Sequence, residues 1–211
     1  MRNSRSDCRC FIFGALDVCG IKDRPADGDL VIAADKGYQI AISNGFTPHI
    51  VVGDFDSLGT IPDTENLIRL NVRKDDTDLE HAVRIALEKG YDDFVVYGAV
   101  GGKLDHTLGN IAVAEYIAQS GGKSIFFGDD SSFTVIRNSE IVLPARRGGR
   151  ISVMSLSDIS HGVSISGLSY EVDTIDMKRA TTLGVSNAFI GKESRISVKG
   201  GTLLIVFDTN E

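Results

Sequence analysis

The sequence predicts an α/β protein, with a mainly parallel sheet flanked by helices followed by a smaller antiparallel β-sandwich domain. Two observations carry this. Over the first two thirds of the chain, short apolar runs alternate with helical patterns, as a sheet with crossover helices requires. After about Asn138 no helical period remains, and short β-rich runs are punctuated by turn residues, the texture of a sandwich or small barrel. Pro144 and the stretch Arg146-Arg147-Gly148-Gly149 mark a junction or early turn, which sets the expected domains at residues 1–139 and 140–211.

The strands expected in the first domain run from Cys10 to Phe13, Leu30 to Ala33, His49 to Val52, Ile68 to Val72, Phe94 to Tyr97 and Ser124 to Phe127. The clearest helix spans Asp78 to Lys89. It carries Leu79, Ala82, Val83, Ala86 and Leu87 on one face, Thr77 and Glu80 at capping-box spacing, and Gly90 as its stop. A second helix, from near His106 to Gln119, is expected to bury Leu108, Ile111, Ala112 and Ala118 and to end at Gly121-Gly122. The later β-rich runs are Arg150 to Leu156, Val163 to Ser166, Arg195 to Val198 and Leu203 to Phe207.

Composition narrows the partners. A net charge of -7 over 211 residues argues against a broad electrostatic footprint on nucleic acid and suits a small anionic substrate held with a metal. No stretch approaches the roughly 18 apolar residues of a membrane span, and the polar start Met1-Arg2-Asn3-Ser4-Arg5 has no apolar signal core behind it, so a cytoplasmic protein is expected. Cys8, Cys10 and Cys19 lack a second Cys or His cluster at zinc spacing and read as free thiols near the first strand.

In an open α/β sheet, ligands bind beyond the carboxyl ends of the strands. Those ends are acidic here: Ala34-Asp35-Lys36-Gly37, Gly53-Asp54-Phe55-Asp56, Lys74-Asp75-Asp76-Thr77-Asp78, and Gly98 through Gly101-Gly102-Lys103-Leu104 to Asp105-His106. Asp54 and Asp56 point the same way on an extended backbone, and each raises the cost of ionising the other unless a cation intervenes. Mg2+, which takes one or two carboxylates together with phosphate oxygens, would serve; an Asp-rich turn capped by Ser57 is the competing reading. Single acids such as Asp35, Asp78 or Asp105 also serve as turn residues or sit in helix first turns, where the dipole favours them by about 0.3 to 1 kcal/mol. Four acidic loops at equivalent positions point to a site. Gly98, Gly101 and Gly102 let backbone N–H groups approach an anion, and Lys103 either pairs with a phosphate or is solvated. His106 either contacts substrate or is structural. No nucleophile elbow and no Cys–His pair appear, which leaves metal, carboxylates and positioning, the means of phosphoryl-type transfer. A metal-dependent phosphohydrolase, a sugar transferase and a non-catalytic nucleotide sensor are the rival readings of such a set.

Five separated motifs add to this: Ala34-Asp35-x-Gly37, Gly53-Asp54-Phe55-Asp56-Ser57, Asp75-x-Thr77-Asp78-Leu79-Glu80, Gly101-Gly102-x-Leu104-Asp105-His106-Thr107-Leu108-x-Asn110, and Gly184-Val185-Ser186-Asn187-Ala188-Phe189. In order and spacing the chain resembles the thiamin pyrophosphokinases, which transfer pyrophosphate from ATP to thiamin and release AMP. The resemblance implies a nucleotide-binding α/β domain, a β-sandwich that helps bind thiamin, and a homodimer with thiamin between one subunit's first domain and the other's second. It implies that Asp54, Asp56 and Asp78 hold Mg2+, that Asp35 and Asp105 complete the polar rim and orient thiamin or its hydroxyl, and that Ser186 and Asn187 contact the thiamin pyrimidine; on the mechanism this suggests, Asp105 or Asp35 accepts the hydroxyl proton. Two positions depart from the pattern: Lys36 stands where many relatives carry glycine, and Lys103 where arginine is common. The chain has no Trp, so an aromatic stacked on thiamin would be Phe189, Tyr170 or another residue.

Overall fold

The computed structural model describes residues 8–18, 20–53, 67–69 and 76–210. It divides into two compact units, Met1–Val113 with Ser124–Asp129, and Ala114–Lys123 with Asp130–Glu211.

In chain order the elements are β1 (Cys10–Phe13), β2 (Leu30–Ala34), α1 (Gly37–Ser43), β3 (Ile50–Gly53), β4 (Leu67–Arg69), α2 (Asp78–Glu88), β5 (Asp93–Tyr97), α3 (Leu104–Gln119) and β6 (Lys123–Phe127). They continue with β7 (Ser131–Arg137), β8 (Glu140–Leu143), β9 (Arg150–Ser155), β10 (Ile159–Ser166), β11 (Val172–Lys178), β12 (Asn187–Ala188), β13 (Ser194–Ser197) and β14 (Thr202–Asp208). The larger of the two sheets is mixed, not mainly parallel as the sequence suggests: β1 to β5 pair in parallel, whereas β7, β9, β12 and β14 pair antiparallel. Periodicity separates helix from strand but carries no strand direction, which is why the sequence left this unread.

In the first unit the strand order places β1 between β5 and β2, with β3 and β4 beyond β2. Every residue of β1, β2 and β3 is buried, the continuous apolar reading of a strand covered on both faces. Phe11, Phe13, Val31, Ile40, Ala41, Val95 and Tyr97 form one cluster, to which Val18, Ile21, Phe46, Ile125 and Phe127 add their partly buried side chains. Each large side chain fully buried here contributes about 1.5–3 kcal/mol. Its aromatic spine stacks Phe46, Phe13, Tyr97 and Phe127 at centroid spacings of 5.5, 5.7 and 5.2 Å. The buried Tyr97 hydroxyl accepts from Asp23 N at 2.7 Å and donates to Asp23 O at 2.9 Å, fixing the long β1–β2 connection; burial pushes its pKa up.

Helix α2 starts as its cap predicts, Thr77 Oγ1 accepting from Glu80 N at 3.1 Å. The Glu80 carboxylate instead pairs with Arg84 one turn on, at 2.6 Å. Its buried residues are Leu79, Ala82, Val83 and Ala86, and Gly90 follows with φ +88°. Helix α3 differs from expectation: it buries Val113, Ala114, Ile117 and Ala118, while Leu108 is 57% exposed and Ala112 is exposed. At 3.6 residues per turn Leu108 falls on the opposite side of the helix from that buried face, so adding it to the face mixed two stripes.

In the second unit β12, β9, β14 and β7 lie side by side, and β11, β10, β13 and β8 form a separate antiparallel sheet. Alternation replaces continuous burial: β9 buries Ile151, Val153 and Ser155 and turns the residues between them outward. Serines tie the two sheets together within this unit. Ser160 Oγ of β10 lies 2.8 Å from Ser155 Oγ of β9 and 3.1 Å from Thr202 O of β14, so these buried polar groups find partners without water.

Candidate active site

Register brings the site together. Phe13 at the end of β1 is paired with Ala33 of β2 and with Tyr97 of β5, so the connections that follow these three strands leave the sheet side by side. Chain order runs outward from β1 through β2 and β3, while β5 lies on the other flank of β1, which makes this a point where the strand order reverses and where α/β sheets open a crevice.

Backbone contacts set the crevice walls. Gly14 N donates to Tyr97 O at 2.7 Å and Leu16 N to Gly98 O at 3.0 Å, lashing the β1 loop to the β5 loop. A Cβ on Gly98 would meet Leu16 O at 2.5 Å, and one on Gly37 would meet Phe13 O at 1.8 Å. Asp35 adopts φ +49°, with its N–H donated to Val52 O at 2.8 Å, and Gly53 lies against it. On the far wall, Thr107 Oγ1 donates to Gly101 O at 3.0 Å, and Asn110 Nδ2 donates to Ala99 O at 2.6 Å, pinning the glycine loop to α3.

These walls enclose a cavity of about 490 Å3 within the first unit. Of the residues singled out in the sequence, Asp35, Asp78, Gly101, Lys103, Asp105 and His106 line it. Asp35 and Asp78 are half-buried, while Lys103, Asp105 and His106 are exposed at its mouth. Gly102 stands beside it with φ +66°. Gly98 lines the cavity too, but its missing side chain makes room for Gly14 and Leu16, a packing role distinct from the anion approach expected of it. Asp54 and Asp56 lie outside the described residues, and among the described residues no group of three His, Cys, Asp or Glu side chains is placed to hold a metal ion. Ser186 and Asn187 belong to the second unit. Ser186 is exposed with φ +64°, its N–H donated to Ser152 Oγ at 3.1 Å. Asn187 is buried, its Oδ1 accepting from Tyr170 N at 2.9 Å and its Nδ2 donating to Tyr170 O at 2.7 Å, so its amide is committed to the Tyr170 backbone.

Sequence reasoning missed Gly14, Ala15 and Leu16, which form the middle wall. The signal was present, since Gly14 directly follows the apolar run Cys10 to Phe13 and Asp17 puts an acid on this loop as well.

An α/β unit with carboxylates, lysines and glycine turns at the strand-order reversal, followed by an antiparallel β unit, defines a class of small-molecule enzymes acting on charged ligands. Comparison with known proteins is specific. Residues 24–126 match the model of the thiamin pyrophosphokinase catalytic domain, and residues 138–203 that of the thiamin pyrophosphokinase vitamin B1 binding domain. A thiamine pyrophosphokinase of Bacillus subtilis (strain 168) is 27% identical over 202 residues, 92% of each chain. Thiamin pyrophosphokinase 1 of Caenorhabditis elegans is 25% identical over 171 residues, 75% of this chain and 68% of that one. The crystal structure of a thiamine pyrophosphokinase from Bacillus subtilis has the same fold, with a TM-score of 0.83 at 24% identity over 97% of this chain and all of that one. The chain belongs to the thiamin pyrophosphokinase family and is therefore a transferase.

Proposed function

We propose that this chain transfers the pyrophosphoryl group of ATP to the hydroxyl of thiamin, with Mg2+, giving thiamin pyrophosphate and AMP. The observation that carries the reading is the meeting of Asp35, of Asp78, and of Lys103 with Asp105, from the segments that follow three different strands, on one cavity at the strand-order reversal. The hydroxyl oxygen attacks the β-phosphorus as the bridging bond to the α-phosphate oxygen breaks, leaving that electron pair on AMP. The hydroxyl proton passes to a carboxylate, for which Asp105 and Asp35 are the candidates; a loose transition state asks little of that base.

The hard carboxylate oxygens suit Mg2+, and Asp78, with Asp54 and Asp56, would hold it. Bound there, the ion would neutralise charge on the transferring group. Lys103 and the Gly101–Gly102 turn grip phosphate, and His106 stands at the mouth beside substrate. Residues 1–139 form the nucleotide domain and 140–211 the thiamin domain. Ser186 contacts the thiamin pyrimidine, and Asn187 acts by holding the Tyr170 segment. The working form is a cytoplasmic homodimer whose site is completed by the partner's second domain, acting on small molecules and on neither nucleic acid nor membrane. No helix among the described residues is long and apolar enough to cross a membrane.

Incubation with ATP, Mg2+ and thiamin tests this: AMP and thiamin pyrophosphate should appear together, each dependent on thiamin. Free phosphate or nucleoside diphosphate would instead indicate a phosphohydrolase or a sugar transferase.

A further inference from the structure

Lys36 lines the cavity, as Lys103 does. Its backbone is held from three sides. The preceding Asp35 is fixed to Val52, the following Gly37 is pressed onto Phe13 O, and Lys36 O accepts from Gln39 N at 3.0 Å as α1 begins. A long, exposed cation is thus mounted on an immobile base, and among the described residues its ammonium group makes no ion pair or hydrogen bond, although Asp35, Asp78 and Asp105 line the same cavity.

Strand order places Lys36 relative to Lys103. The two lysines follow β2 and β5, the strands on either side of β1, and between them runs the β1 loop, of which Gly14, Ala15 and Leu16 line the cavity while the exposed Asp17 that follows does not. An extended anion lying over Gly14 to Leu16 meets one cation at each end. Thiamin carries a quaternary nitrogen cation, which lysines repel and the carboxylates attract, so the charge pattern separates the two substrates. A lysine acts as a compact, mobile point charge that can follow phosphate oxygens without the fixed fork of arginine.

We propose that Lys36 and Lys103 clamp the polyphosphate chain of the nucleotide from opposite sides of the β1 loop, with Lys36 a nucleotide-binding residue. The proposal rests on the pyrophosphokinase reading. The test is calorimetric titration, in Mg2+, of the α,β-methylene analogue of ATP and of AMP into the intact protein and into Lys36→Gln and Lys36→Arg. Lys36→Gln should weaken the analogue about tenfold, the scale of one charge-assisted hydrogen bond, and AMP less than about twofold; Lys36→Arg should recover most of the loss. Analogue binding unchanged in Lys36→Gln, or an equal loss for AMP, overturns the clamp while leaving the pyrophosphokinase reading intact. An unaltered protein that binds neither nucleotide overturns both.

Discussion

The two units differ in how far polar side chains share in holding their functional segments. In the first, backbone does the holding: the turns that carry Asp35, Lys36 and Lys103 are set by Gly14, Gly37 and Gly98 pressed against neighbouring carbonyls, by the φ of +49° at Asp35, and by N–H groups donated across strand ends. In the second, polar side chains share the work with backbone: the Tyr170 segment hangs on the amide of Asn187 and the sheets are tied by serine hydroxyls, while Gly167 and Gly184 press against Glu193 O and Val153 O. The first unit should therefore tolerate almost no added Cβ at Gly14, Gly37 and Gly98, while the second should be sensitive both to a Cβ at Gly167 or Gly184 and to the loss of particular polar groups. Walls set by backbone contacts leave the side chains of Lys36, Lys103 and Asp105 exposed at the cavity.

The largest effect is expected on the cavity wall of the first unit. Asp78→Asn keeps size and the Thr77 cap but removes a charge from the cavity wall, and should lower turnover by about a thousandfold with the thermal midpoint nearly unchanged. Turnover within a few fold of the parent would remove Asp78 from the metal site. Gly37→Ala comes next, because the new methyl would sit 1.8 Å from Phe13 O and backbone must move. A loss of about 3 kcal/mol in denaturant titration is expected. Gly148→Ala in the second unit is the paired control: nothing lies within 4 Å of its Cβ, and its stability should change by less than about 0.5 kcal/mol.

Asn187→Ala probes the other strategy. It strands Tyr170 N and O and Ala188 N, three backbone groups that the amide now satisfies, at a cost of about 2 kcal/mol. If the Tyr170 segment helps to receive thiamin, the KM for thiamin should rise while that for ATP holds. Equal increases in both would show that the amide supports the fold without favouring one substrate.

How far the sequence reached follows the same division. Where burial is continuous, as in β1, β2 and β3, apolar runs announced the strands to within a residue or two, and Thr77 and Gly90 announced both ends of α2. The acids at strand ends were equally plain, since Asp35, Asp78 and Asp105 do share one cavity. Strand pairing was not legible, because β1 meets β5 only through contacts more than eighty residues apart. The edge strand β11 was missed because its exposed residues leave no apolar alternation to see. The role of Gly98 was missed for a related reason: a glycine that makes room for another loop and one that approaches an anion look alike until the neighbouring loop is known.

The smallest effect concerns that same edge strand. On β11, Asp176 accepts from Gly162 N at 3.3 Å and lies 2.9 Å from His161 Nδ1, and the hydrogen bond to His161 holds its carboxyl below the usual carboxylate range. A carboxyl depressed in the folded state adds stability above its unfolded pKa, about 4, and loses it as pH falls through the lower folded value. Asp176 is fully exposed, so solvent screens the pair and the gain is slight. Asp176→Asn should therefore lower the thermal midpoint by about a degree or less at pH 6, with the difference closing as the pH is taken below about 3, while turnover is unaffected because Asp176 takes no part in lining the cavity. An identical difference at pH 6 and pH 3 would mean that the edge strand gains from the shape of the aspartate side chain and not from its charge.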